Sequence, residues 1–578
     1  MNARDRSFVA GLVLVFAVLA VAIAMPPPTP VGVAPSPSAT PSSLRGYTEG
    51  IVGRPSSINP LTARTAADRS LVALVFSGLV RLGPEGTIVG DVADRWTVDE
   101  TGAIYTFELR PDAVWHDGVP LTAADVVYTV RALSNSAYVG PARDSWREVT
   151  ATEVDRYTVR LELATPLGGF LQAATQPIAP AHLYEGIPLD RLADDPVNLT
   201  PVGSGPFRLV SWNAGEARLE PALGRTAPTN GPVDPSASVP PPTDTIGSPS
   251  ASERPLRPLP YLPWMEMRFY PDPAALAAAY VAGEVDGAVG LPPRDAGQLV
   301  AAGGSRLLSY PRSTLTSVTF NLRTRRPEFR DARVRRALLA ALDRGAIVDR
   351  VLDGGGRRAD APIPPSSWAF DATASKAVPY DLKAAAKLLG DAGWQKLEGG
   401  WALPDAGVPY ALELIAPETA SNPIAYRTAL AIATDWEALG LTVNVVGLPA
   451  DEFVNDRLRS GNFAAAIIDL NIGLDPDLYP LLASSQTGAG GSNVAGLQDP
   501  ELDKLLVAAR GPGDDDARKA AYAALQTRLA AQQYLLPVFF RDEPVVVRDV
   551  LEGPGIRQIG DAGDRYWDVL TWRLATSR

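Results

Sequence analysis

Between Gly102 and Leu133 the chain reads GAIYTFELRPDAVWHDGVPLTAADVVYTVRAL, and no other run constrains the fold as tightly. It opens as a strand, with Tyr105, Phe107 and Leu109 alternating against Thr106, Glu108 and Arg110, the period of two that sends apolar side chains to one face. Asp117-Gly118 then makes a tight turn, because glycine accepts the positive φ that such turns need. Thr122 is placed to cap a helix, and Asp125 three residues on supplies the other half of a capping box.

The same alternation of strand and helix signals continues along the chain. Ile51–Pro60 reads as a strand entering a loop, and Ser70–Val80 has helical spacing through Leu71, Leu74, Val75 and Leu79. Strands are expected over Tyr157–Leu163, Phe207–Trp212, Val285–Val289, Thr316–Leu322, Leu441–Val446 and Leu535–Phe540. Pro273–Ala282 is an alanine-rich helix closed by Gly283; further helices are expected over Gly345–Leu352, Asp381–Ala392, Ile424–Leu439 and Ala517–Gln533. Asp331 caps another, with Val334, Leu338 and Leu342 on one face. The chain is therefore mixed α/β. Its 578 residues exceed what one hydrophobic core usually supports, so more than one lobe is expected.

Two stretches break the pattern. Residues 26–45 are rich in Pro, Ser, Ala and Thr and read as a flexible stalk, and residues 222–258 read as a disordered surface excursion. Ahead of the stalk, Arg4 and Arg6 precede an apolar run from Phe8 to Met25, which suits either a cleaved signal sequence or a membrane anchor. The chain has no cysteine, which excludes disulfides, thiolate metal sites and cysteine nucleophiles, and only two histidines, His116 and His182. A formal net charge of −12 argues against a nucleic-acid surface. No Gly-x-Ser-x-Gly elbow, His-Glu-x-x-His or phosphate-binding Gly-x-x-x-x-Gly-Lys motif occurs.

Trp115-His116-Asp117-Gly118, with Leu121-Thr122-Ala123-Ala124-Asp125-Val126 behind it, resembles the signature of the large extracytoplasmic solute-binding proteins of ABC importers, the peptide- and nickel-binding family 5. Ser57-Ile58-Asn59-Pro60-Leu61, Leu79-Val80-Arg81, Pro201–Phe207, Ala282–Asp286, Asp331–Leu338 and Ser492–Leu505 fit further segments of that family in the same order. The likeness covers roughly residues 50–575 apart from the excursion. It implies a two-lobed α/β fold of the periplasmic-binding-protein type II, with mixed sheets and flanking helices, that closes about a hinge on its ligand. Lobe I would comprise 46–64, 199–311 and 534–578, with an extra subdomain at 65–198; lobe II would be 312–533. It also implies an extracytoplasmic monomer without catalysis or cofactor, which carries a peptide or other small molecule to membrane permease subunits and binds no nucleic acid. A ligand-sensing protein that docks to a membrane signalling partner is the alternative.

In peptide-binding members, an aspartate just before an Asp/Glu-Pro step pairs with the peptide's amino terminus. Here Asp475-Pro476 keeps the step, but Ile472 or Gly473 takes the aspartate's place, and Asp469 or Leu470 takes that of an earlier tryptophan. An enclosed ammonium group left without its partner costs about 3–5 kcal/mol. Asp469 is then either a shifted substitute anion, a hydroxyl- or amide-binding group together with Asn471, or a strand-end residue satisfied by backbone amides. Position in the family adds Asn59, the loop Arg64-Thr65-Ala66, Trp368, Ser492 and Asn493 as ligand-binding candidates. His116 and His182 read as turn residues with local hydrogen bonds, and Gly354-Gly355-Gly356 as a helix stop. Arg333, Arg335 and Arg336 read as a solvated helix face or, alternatively, a patch that docks on the transporter. Asp514-Asp515-Asp516 suits the positive end of the following helix rather than a calcium ion.

Overall fold

A computed structural model describes residues 45–83, 87–138, 140, 143–222, 262–488, 491–512 and 515–575. The expected leader, nearly all of the stalk and the excursion beyond residue 222 lie outside the described residues. The described residues from Gly46 onward form one compact unit.

The segment Gly102–Leu133 folds as its pattern dictates. Ile104–Leu109 is a strand whose Tyr105, Phe107 and Leu109 are buried, Gly118 takes φ 90° in the turn, and Ala123–Ser134 is a helix whose Thr122 N–H donates to the Asp125 carboxylate at 2.9 Å. The strand belongs to a four-stranded antiparallel sheet with Ala93–Val98, Val149–Asp155 and Thr158–Leu163.

The main sheet has eleven strands: β1 (Tyr47–Val52), β2 (Phe207–Trp212), β3 (Glu216–Pro221), β4 (Met265–Tyr270), β5 (Gly287–Val289), β6 (Ser305–Phe320), β7 (Gly356–Arg358), β8 (Ala411–Pro417), β9 (Thr442–Leu448), β10 (Ala465–Asn471) and β11 (Leu535–Arg548). Their order is β9-β8-β10-β6-β11-β5-β1-β4-β3-β2, with β7 paired to β11. The pairs β1–β4, β1–β5, β8–β9 and β8–β10 are parallel; the others are antiparallel.

Two large hydrophobic cores sit on this framework. The first gathers Tyr47 and Ile51 of β1, Phe107, Trp115 and Phe170 from the 65–198 region, and Tyr566 and Trp572 near the C-terminus. The second gathers Leu414 of β8, Ile467 of β10 and Trp436 of the helix Pro423–Leu439. Strands β6 and β11 serve both. Leu308 and Tyr310 of β6, and Val545 and Val547 of β11, belong to the first core; Leu315, Val318 and Phe320, and Leu535–Phe540 apart from Pro537, belong to the second. Their ladder breaks at the crossing, where the register shifts between Pro311↔Asp542 and Leu315↔Phe540. Proline at 311 offers no N–H to a ladder, which favours such a break.

Several expectations need correction. Residues 534–578 do not all pack with the first core: Leu535–Phe540 lie in the second, because β11 runs through both. The helix expected over Ser70–Val80 is Ala66–Val75, since Thr65 caps it and Asp68 completes a capping box. The first strand is Tyr47–Val52 rather than Ile51–Pro60. Arg335 is not solvated but 2% exposed; its guanidinium donates to the carbonyls of Phe329, Arg330, Gln532 and Gln533. Arg333 and Arg336 are exposed.

The C-terminal end is tied to β1 by a fully buried ion pair. Arg565 Nη1 and Nη2 donate to both carboxylate oxygens of Glu49, at 2.8 and 2.7 Å, and Tyr47 Oη donates to the same carboxylate at 3.0 Å. This bidentate geometry, with tyrosine hydroxyls filling the remaining acceptor positions, is what makes a buried ion pair tolerable.

Candidate functional site

A cavity of about 480 Å³ lies beside the β6–β11 crossing. Most of its wall comes from the side of the first core. The helix Ala66–Val75 supplies Arg69, Val72 and Ala73; Arg81, Trp146, Gln172 and Gln176 continue the wall, and the C-terminal turns add Arg557, Asp561, Asp564 and Trp567. The opposite wall is Asn471, Gly473 and Leu474, the turn that leaves β10.

Local structure fixes these groups. Asp68, buried just behind Arg69, accepts N–H bonds from Ser56, Ser57, Arg64 and Thr65 and the Ser56 hydroxyl. Burial pushes its carboxyl up, but those donors outweigh it and hold the group below the usual carboxylate range. Asp564 Oδ2 accepts the N–H groups of Gly560 and Asp561 at 2.7 and 3.0 Å, while Asp561 Oδ1 accepts that of Gly563 at 2.7 Å. Burial, reinforced by the charge of Asp561, nonetheless pushes the Asp564 carboxyl up to about 6. Arg557 lies over the Trp567 ring at 4.8 Å and donates to the Gly83 carbonyl at 3.2 Å. Burial pulls it down to about 10; Asp564 and Asp568 oppose that change and the nearby charge of Arg81 adds to it.

Of the sequence candidates, only Asn471 stands in this wall; its Oδ1 accepts the Ser313 hydroxyl at 3.0 Å. Asp469 is engaged by side chains rather than backbone amides: Thr316 Oγ1 at 2.6 Å, Asn422 Nδ2 at 3.0 Å and the Arg541 guanidinium all donate to it. Leu470 and Ser492 line a separate cavity of about 20 Å³ within the second core. Asn59 is buried, bonded to Asn198 and to the Leu61 N–H, and Asn493 spends its amide on Leu482, Ala483 and Leu497. Arg64, Thr65 and Ala66 form the capped start of the helix behind the cavity, next to its lining residue Ala63. Trp368 packs its edge on Tyr522 at 5.3 Å beneath Arg518 at 4.6 Å. His116 Nε2 bonds to the Gly205 carbonyl at 3.0 Å, far off in sequence, and His182 Nε2 to Asp117 Oδ2 at 2.9 Å. The histidines brace the Trp115–Gly118 turn instead of facing the cavity.

Sequence reasoning missed Arg69, Trp146, Arg557 and Asp564. Only Arg81 carried a signal, a charge set between the buried Val80 and Leu82 in a short strand. Among the described residues no group of His, Cys, Asp and Glu is arranged to hold a metal ion, and no helix is long and apolar enough to cross a membrane.

Comparison with known proteins agrees with this architecture. The family described as bacterial extracellular solute-binding proteins, family 5, matches residues 87–493. Protein XP55 of Streptomyces lividans is 30% identical over 491 residues, 83% of this chain and 81% of that protein. The fold is similar to that of the oligopeptide-binding protein AppA of Bacillus subtilis in complex with a nonapeptide, with a TM-score of 0.69, 22% identity and coverage of 92% of this chain and 100% of that one. NikZ of Campylobacter jejuni in complex with Ni(L-His) gives the same TM-score and identity over 91% of this chain and 99% of its own. The chain belongs to the bacterial extracellular solute-binding proteins of family 5, the substrate-binding receptors of ABC importers.

Proposed function

We propose that this chain captures a small polar solute, oligopeptide-like or of another polar class, between its two cores and hands it to the permease subunits of an importer outside the cytoplasm. The observation that carries this reading is the cavity itself: its two walls come from different cores, and it lies beside the two strands that pass between them. A site of several hundred Å³ with a few placed polar groups suits a small ligand. Flexing where the β6–β11 ladder breaks would widen it. The two cores then serve as the lobes, with residues 65–198 as the subdomain of the first, and residues 1–25 direct export or anchor the chain. Binding and release are the whole activity, with no bond made or broken.

Native mass spectrometry of residues 45–578, purified without denaturation, tests the reading. A discrete bound mass that disappears on unfolding, together with a smaller hydrodynamic radius in the bound form, supports it. A protein that never carries a solute and does not change size with any offered solute overturns it, as does turnover of the bound molecule.

A further inference from the structure

The polar groups of the cavity wall are unevenly satisfied. Two of its carboxylates are spoken for: Asp561 and Asp564 accept backbone N–H groups of their own turn. Asp91, the third acid of the wall, is buried beside Val92. The donors are less well served. Arg69 and Arg81 line the cavity without a side-chain hydrogen bond or ion pair to any described residue. The buried Nε–H groups of Arg81 and Arg557 and the indole N–H of Trp146, which is 3% exposed, have no acceptor among the described residues. Arg557 meets the carbonyls of Gly83 and Asp564 and an indole face, not a carboxylate. A buried donor without a partner costs on the order of 1–3 kcal/mol, and more when it is charged. Native interiors leave few such groups; these three lie just behind the cavity surface, where a small shift of the wall on binding would bring them to an entering acceptor.

We propose that the captured solute carries an oxyanion, a carboxylate or a phosphate, which is bound by the guanidinium groups of Arg69, Arg81 and Arg557 together with the Trp146 indole N–H. The inference rests on the receptor reading and narrows it. Guanidinium presents a planar fork of N–H donors that matches both kinds of oxyanion, and each charge-assisted bond is stronger than a neutral one. The charge of Arg81 also bears on Arg557, so an anion between them relieves repulsion as well as filling empty donors. Arg557 is held in position by the ring of Trp567. Asp561 and Asp564, already turned to backbone amides, offer far less to a cation.

The test is a thermal-shift titration of the full chain with two bare probes, citrate for carboxylate and inorganic phosphate for phosphate, each against sodium chloride of matched ionic strength. The wild type should show a saturable rise in Tm at millimolar citrate or phosphate, and the probe that saturates first names the oxyanion. Arg81→Gln should weaken the apparent affinity about ten- to hundredfold, as expected for the loss of a charge-assisted bond. Arg81→Lys should retain part of it, since the charge stays and the fork goes. Because both variants are compared with themselves in chloride, a change in basal stability does not imitate the result. No saturable shift in the wild type, or equal shifts in wild type and Arg81→Gln, overturns the inference. A chain that ignores both anions yet closes on a neutral solute overturns this inference alone; one that binds an anion without change in hydrodynamic radius keeps it and overturns the receptor reading.

Discussion

Two of the contacts between the cores differ in kind. On one side β6 and β11 run unbroken from core to core, paired over most of their length, with their main interruption between Pro311 and Leu315. On the other side the loop before Phe170, from the first core, rests against the segment that carries Arg510 and Arg518, from the second. One backbone hydrogen bond, Gly168 N–H to the Arg510 carbonyl at 2.9 Å, spans that contact. The rest is close packing made possible by glycine: a Cβ at Gly169 would lie 2.5 Å from Asp475 Cγ, and one at Gly102 would lie 2.5 Å from Pro512. Asp475 is held for this purpose by a bidentate pair with Arg518, at 2.9 Å on both oxygens. Covalent strands can bend but not part; a single hydrogen bond over glycine can part and reform. If the two cores close on a solute as proposed, the first side would serve as the hinge and the second as the latch.

The largest effect should come from loosening the framework on the first-core side of the hinge. Arg565→Met leaves the Glu49 carboxylate buried without its cation, and a broken buried pair typically costs about 3–5 kcal/mol. Urea unfolding followed by tryptophan fluorescence should lose that much, while the latch contact stays intact. A loss below about 1 kcal/mol, the range of an exposed pair, would mean that Glu49 reaches water or takes up a proton at little cost.

A second test reads the same side through pH. The Asp564 carboxyl sits next to the hinge and is pushed up to about 6 in the folded state, against about 4 in the unfolded chain. Between those values the folded chain binds a proton that the unfolded chain has lost, so this group's contribution falls as pH rises from about 4 to 6. Above 6 both states are ionised and the contribution is flat. A difference of that size corresponds to about 2–3 kcal/mol. Relative to wild type, Asp564→Asn should therefore gain stability across that window and then hold the gain. Comparing the two proteins removes the opposite slope from carboxylates held low, such as Asp68 and Asp499. Parallel pH profiles would remove Asp564 as a buried acid.

The latch is invisible in the sequence, and so is half of the hinge. Elements with local end signals or strict alternation are legible to the residue: Phe207–Trp212 after its glycine turn, the alanine-rich Pro273–Ala282 closed by Gly283, and the alternation of Tyr105, Phe107 and Leu109. The hinge strands read short because Tyr310-Pro311-Arg312-Ser313 and Arg541-Asp542-Glu543-Pro544 look like loops. A strand that leaves one core for another loses its apolar alternation at the crossing. Arg335 misleads for the opposite reason, a charge buried because four carbonyls at neighbouring helix ends need donors. The cavity arginines come from positions 69, 81 and 557, which are brought together by tertiary structure alone. No spacing rule connects them.

Closing the latch off is the next test in size. Gly169→Val puts two methyl groups where Asp475 now packs, and the nearest relief is to separate the cores on that side. The expected result is a larger radius of gyration by small-angle scattering and about a tenfold loss of solute affinity, equivalent to about 1.4 kcal/mol, with unfolding midpoints close to wild type. An unchanged radius with a large fall in stability would make the contact part of a rigid interface rather than a latch.

The smallest effect discriminates most sharply between hinge and latch. Ser313 lies in the interruption of β6 and is fully buried. Its hydroxyl donates to Asn471 Oδ1 at 3.0 Å, and its carbonyl accepts the Ile472 N–H at 3.2 Å. It thus joins the hinge to the wall of the cavity. Ser313→Ala removes one buried hydrogen bond, a loss of about 1 kcal/mol, but leaves both strands and the latch in place. With no solute present the radius should match wild type, in contrast to Gly169→Val, while solute affinity falls because Asn471 is no longer held. If Ser313→Ala opens the chain as far as Gly169→Val does, the closed arrangement depends on side-chain bonds at the crossing, and the roles of the two sides are reversed.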